Sequence, residues 1–152
     1  MLRDQLNEAL KTSMKDKDRV AVSALRLIIT AIKDRDIAAR SKGVDEGIPD
    51  IEILQVLQTM VRQRHESIEM YRKGNREELA VQEEQEIKII QRFMPRQLDE
   101  AEIENAIKLI IEETRAASIK DMGKVMGKLR ERYAGQMDFG KAGVALKARL
   151  TG

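Results

Sequence analysis

Apolar residues recur at helical spacing along almost the whole of this 152-residue chain, and that period leaves room for little except packed helices. Leu2, Leu6, Ala9 and Leu10 open the pattern, which breaks at the charged run around residues 15–18. Val22, Leu25, Ile28, Ile29 and Ile32 carry a second helix from about Asp18, with the i, i+3, i+4 spacing of a core-facing stripe. Ile53, Leu54, Leu57, Val61, Ile68 and Tyr71 mark a long third helix, and Leu79, Ile87, Ile90 and Phe93 a fourth. Aromatics make up only 3% of the chain and there are two prolines, which suits helices far better than a β-sandwich.

The breaks between these stripes have their own chemistry. Residues 41–49 hold Gly43, Gly47 and Pro49 and read as a loop, after which Asp50 is expected to cap the long helix. Gly74 fits a helix stop, and Asn75 with Glu78 fits the next helix start. Pro95 pushes the residue before it away from helical geometry and marks the main boundary. Asp99 and Glu102 form a capping pair just beyond it. The expectation is an all-α protein: an N-terminal multihelical part, residues 1–95, followed by a C-terminal three-helix bundle, residues 96–152. Its last helices should run near 99–116, 119–134 and 139–150, with Gly135 closing the second and Asp138 capping the third.

The absence of cysteine excludes disulfides, thiolate metal sites and thiol nucleophiles. Arg3, Asp4 and Glu8 interrupt any apolar run at the start, unlike a signal peptide, and no segment reaches the ~20 apolar residues needed to span a bilayer. A soluble cytoplasmic protein without a membrane partner is expected.

The net charge of +2 conceals a segregation. Residues 97–114 carry six acids against one Lys, a net of −5, whereas residues 115–152 carry nine Lys or Arg against three acids, a net of +6. A basic end of this kind serves nucleic acid or another acidic partner, or is a solvated face that neutralises its acidic neighbour. Within it, Gly123 and Gly127 interrupt a helical stripe of Met122, Val125, Met126, Leu129 and Tyr133 whose start reads as Ser118 with Asp121. Each glycine costs roughly 1 kcal/mol against alanine inside a helix, so something should offset it. Close helix–helix packing is the default reading, with Gly140 and Gly143 of the last helix as partners; close approach of a ligand is the alternative. Lys120, Lys124 and Lys128 recur every four residues as a basic stripe able to meet RNA phosphates, with Arg132, Lys147 and Arg149 as lesser candidates. Only Tyr71, Tyr133, Phe93 and Phe139 are aromatic, which favours recognition of a folded RNA's shape over base stacking.

Catalytic signatures are missing. No phosphate-binding loop or dinucleotide fingerprint occurs. His65, the only histidine, shares a helical face with Glu69 but lacks the second histidine of a zinc motif, and Arg62, Arg64 and Arg72 offer the acids of that helix ordinary local ion-pair partners. Ser67 has no local base to activate it. No catalytic residue, metal site or cofactor is assigned.

Four segments carry a resemblance: Arg64-His65-Glu66-Ser67-Ile68-Glu69-Met70-Tyr71, Gly74-Asn75-Arg76-Glu77-Glu78-Leu79-Ala80, Phe93-Met94-Pro95-Arg96-Gln97-Leu98 and Lys120-Asp121-Met122-Gly123-Lys124-Val125-Met126-Gly127. In this order and spacing they resemble the YqeY-like family, which shares its domain with the C-terminal tail of the B subunit of aspartyl/glutamyl-tRNA amidotransferase (the GatB/YqeY domain). The likeness covers nearly the full chain. It implies an all-helical fold and a link to tRNA-dependent amidation, in which the tail is a mobile tRNA-binding element while glutamine hydrolysis and tRNA activation belong elsewhere. It hands over no catalytic residue. The leading expectation is therefore a tRNA-binding accessory module, not catalytic alone. The alternatives are a component of a carbon–nitrogen ligase assembly using glutamine as amido donor, and a helical protein–protein interaction module.

Overall fold

A computed structural model describes residues 1–151, and among these every regular element is helical. The chain divides into two compact units, Met1–Met94 and Pro95–Gly152.

The first unit holds α1 (Leu2–Lys15), α2 (Arg19–Arg40), α3 (Asp50–Lys73) and α4 (Glu77–Gln91). Leu6, Leu25, Ile28, Ile53, Leu57 and Ile90 are fully buried at its centre. At roughly 1.5–3 kcal/mol for each such side chain, they supply the main drive for the four helices to pack. Local chemistry sets where α2 begins: Lys17 turns the chain through a left-handed conformation (φ 55°), and the Asp18 carboxylate accepts from the Ala21 amide at 3.1 Å. Two helix starts depart from the sequence expectation. Asp50 lies inside the first turn of α3 and accepts from the Leu2 amide at 3.2 Å, so it ties α1 to α3 rather than capping. Asn75 takes a left-handed φ of 58° and Arg76 precedes α4 without a side-chain cap, because the tight turn after Gly74 uses Asn75 for its backbone.

Ion pairs between helices complete this unit. Arg3 donates to both Asp36 oxygens (2.8 and 3.0 Å), and Asp36 also accepts from the Ile48 amide at 2.8 Å, joining α1, α2 and the loop before α3. Gly47 has φ +90°, a conformation that favours glycine, and a Cβ there would lie 2.8 Å from Arg3 Nη2 and displace the guanidinium. Arg64 and Arg72 do not pair with acids of their own helix as expected, although Arg64 also donates to the Met60 carbonyl of α3 at 3.2 Å. Arg64 donates to Glu86 on α4 at 3.0 Å and lies 3.8 Å from Glu83, while Arg72 pairs with Glu77 and Glu84. Of that local set, Glu69 has Lys73 as its partner, at 3.8 Å.

The second unit holds α5 (Glu100–Thr114), a 3-10 turn (Ile119–Asp121), α6 (Met122–Arg132) and α7 (Phe139–Thr151). Asp99 and Glu102 form a reciprocal capping box at 2.8 and 3.1 Å, and Arg115 at φ 55° ends α5. The core is built on Ile107, Ile110, Val125, Leu129, Met137 and Leu146. Gly135, at φ 73°, reverses the chain after α6, and Asp138 accepts from the Gly140 amide at 2.8 Å to start α7. Gln97 donates to the Gly135 carbonyl at 2.6 Å, pinning the segment before α5 to that reversal.

Candidate nucleic-acid interface

The glycines of α6 do not face a neighbouring helix. Gly123 and Gly127 are exposed, and a Cβ built on either would meet nothing within 4 Å. The packing expectation is overturned for this pair, because Val125, Met126 and Leu129 turn into the core and carry the glycines outward with the lysines. Gly140 is exposed too, and its added Cβ would meet only the Asp138 cap, at 3.1 Å. Gly143 alone of the four faces α6, at an ordinary 3.8 Å from Met126 Cε. The α-helix also begins later than the stripe suggested. Residues 119–121 are a 3-10 turn whose Asp121 carboxylate accepts from the Ala117 and Ser118 amides (2.8 and 3.2 Å), and those bonds hold its pKa below the usual range.

The result is a strip of bare backbone on the open side of α6. Lys120, Lys124 and Arg130 are exposed along the same turn and helix, and Lys128 is half-buried. None of these four is in an ion pair among the described residues. Arg130 belongs with them by position and was not singled out from the sequence; its spacing of three residues from Gly127 is the signal that could have found it. Arg132 is differently placed. Its guanidinium forks onto Glu113 of α5 at 2.9 and 2.5 Å, lowering the Glu113 pKa, and it works as a staple between α5 and α6. Lys147 and Arg149 are exposed on α7 without an ion-pair partner among the described residues. The acidic neighbour thus neutralises one of the candidate cations through a direct pair and leaves the α6 strip positive. His65 is exposed on α3, and the described residues bring no group of three His, Asp or Glu together in metal-binding geometry.

Among the described residues the fold is that of a small all-α protein whose α6 carries exposed cations. The chain belongs to the family described as Yqey-like protein, whose pattern matches residues 3–150. It is 35% identical over 89 residues to altered inheritance of mitochondria protein 41, mitochondrial, of Vanderwaltozyma polyspora, a match covering 59% of this chain and 46% of that protein. The protein of the same name from Lachancea thermotolerans is 30% identical over 115 residues, 74% of this chain and 59% of its own length. That of Saccharomyces cerevisiae strain YJM789 is 29% identical over 126 residues, 79% and 65% respectively. The chain therefore spans about half to two thirds of the curated relatives it matches, and their names place those proteins in mitochondria. No described helix is long and apolar enough to cross a membrane.

Proposed function

We propose that this protein is a tRNA-binding accessory module without catalytic activity of its own, and that α6 with the preceding turn is its contact surface. The observation that supports this reading is the exposed strip itself: Gly123 and Gly127 leave open space beside unpaired Lys120, Lys124, Lys128 and Arg130. Cations of this kind meet phosphates as point charges, and a helix stripped of side chains lets a sugar–phosphate backbone come close. Tyr133 and Phe139 are the only aromatics in this unit and both pack against its core, which favours shape and backbone recognition over base stacking. The resemblance to the amidotransferase tail supplies tRNA as the candidate RNA. The compartment belongs to the same proposal: an aqueous space that carries tRNA, the cytoplasm on the reading from sequence.

The test is binding of folded tRNA across a salt series with duplex RNA as competitor. Tight binding that prefers tRNA and falls with salt supports the proposal; no binding at low salt refutes it. The double variant Lys124→Glu, Lys128→Glu should weaken binding and flatten the salt dependence by about one to two counterions, with thermal stability nearly unchanged.

A further inference from the structure

The first unit has a second cationic surface, built quite differently. An open groove of about 650 Å³ runs along the α1–α2 corner. Its lining combines apolar Met14, Val22 and Leu27 with the hydroxyls of Ser23 and Thr30 and the cations Lys17, Arg19 and Arg26. Met14 is 51% exposed and Leu27 47% exposed, so both present apolar surface to an occupant of the groove. No acid lines the groove, and none of its three cations is in an ion pair among the described residues. Local geometry shapes the corner: Lys17 takes a left-handed conformation closed by the Asp18 amide donating to the Ser13 carbonyl at 3.0 Å, and the Asp18 cap sets the first turn of α2 that carries Arg19.

We infer that this groove docks an acidic amphipathic helix of a partner protein. Two or three apolar side chains at i and i+4 of such a helix would lie over Met14, Val22 and Leu27, and Asp or Glu beside them would meet Lys17, Arg19 and Arg26. Charge complementarity selects the occupant. The lining supplies three positive charges and no negative one, so a basic or neutral helix would leave the cations unmatched. A phosphate backbone could use the cations and the Ser23 and Thr30 hydroxyls but would leave Met14, Val22 and Leu27 uncovered, and no aromatic lines the groove for a base to stack on, so an amphipathic helix matches more of the lining. The groove lies in the Met1–Met94 unit and the proposed RNA strip in the Pro95–Gly152 unit, so neither assignment depends on the other.

The experiment titrates the isotope-labelled full chain with a synthetic helical peptide carrying Leu at i and i+4 flanked by Glu, followed by amide chemical shifts and by fluorescence anisotropy. A peptide with the same leucines flanked by Lys is the control. The acidic peptide should shift amides between Met14 and Thr30, and its affinity should fall with added salt. Lys17→Glu with Arg26→Glu should weaken it about tenfold or more, Leu27→Asp should weaken it comparably, and tRNA binding should be unchanged in both variants. All these positions are exposed, and a thermal melt confirms that each variant folds. Equal binding of the Lys-flanked peptide, shifts confined to other residues, or no binding of the acidic peptide overturns the inference. So does capture of anionic phosphatidylserine vesicles or single-stranded RNA through these residues while the peptide is ignored. Concentration-dependent self-association that the double variant abolishes would equally overturn it, since the occupant would then be a second copy of this chain.

Discussion

Replacing Gly127 with alanine should make this protein more stable, and the sign of that effect is the sharpest test of how α6 lies. Gly127 is the sixth of eleven residues in α6, so the full interior difference between glycine and alanine applies, roughly 0.8–1.0 kcal/mol. The new Cβ meets nothing within 4 Å, so no steric cost is subtracted. Gly123 is the second residue of the helix, where a frayed first turn realises less of the difference, roughly 0.5 kcal/mol. The double variant should therefore gain about 1.5 kcal/mol. Were the glycines instead a helix–helix contact, the same methyl groups would overpack it and cost about 1–3 kcal/mol. Urea unfolding at constant m-value separates the two outcomes, and calorimetry should show a rise of several degrees. An unchanged or lowered midpoint would refute the placement. If the bare strip serves RNA, the stabilised variant should also bind tRNA more weakly, a loss of function bought with stability.

Four further outcomes follow from the ion pairs. Asp36→Ala removes the acceptor for Arg3 and the Ile48 amide; Arg3 can rehydrate but the Ile48 amide loses its partner, so denaturant unfolding should show a loss of about 2 kcal/mol. The hydrogen bond from Arg3, with help from the Ile48 amide, lowers the Asp36 pKa. Its contribution is therefore complete above the ordinary Asp range and should fade as pH falls through that range toward the lowered native value, which acid titration of the wild type against Asp36→Asn can isolate. Arg64→Ala should cost about 1–2 kcal/mol and loosen α4 selectively in hydrogen exchange, because Glu86 and Glu83 are left half-buried without their cation. Glu102 should titrate at about 2 in carboxyl-detected NMR, lowered first by Arg96 and then by the Asp99 amide, and Arg96→Ala should return it toward the ordinary glutamate range.

The family pattern over residues 3–150 was legible in the order of four short segments, yet their physical roles were not. In the first of them Arg64 proves to be a clamp onto α4, and in the last the glycines prove to be open surface. The helical wheel held part of that answer. At 100° per residue, Gly123 and Gly127 fall roughly 120–160° from Val125 and Leu129, with Met126 at the edge between the two faces, whereas the cost of helical glycine had suggested a contact to explain it.

What the sequence determined by itself is what acts over three or four residues. Helical periodicity follows from the side-chain spacing of the backbone, and the Asp18, Asp99–Glu102 and Asp138 caps close bonds to amides two or three residues on, so the all-α class could be read without coordinates. The tertiary structure decided which charges pair and which stay free. Arg3 finds Asp36 across 33 residues and Arg132 finds Glu113 across 19, while Lys124, only three residues from Asp121, forms no ion pair among the described residues. A charge carries no label for its partner along the chain. Only the packing of the apolar faces, which sets helix rotation and separation, determines whether a cation is spent inside the fold or left on the surface for something else to meet.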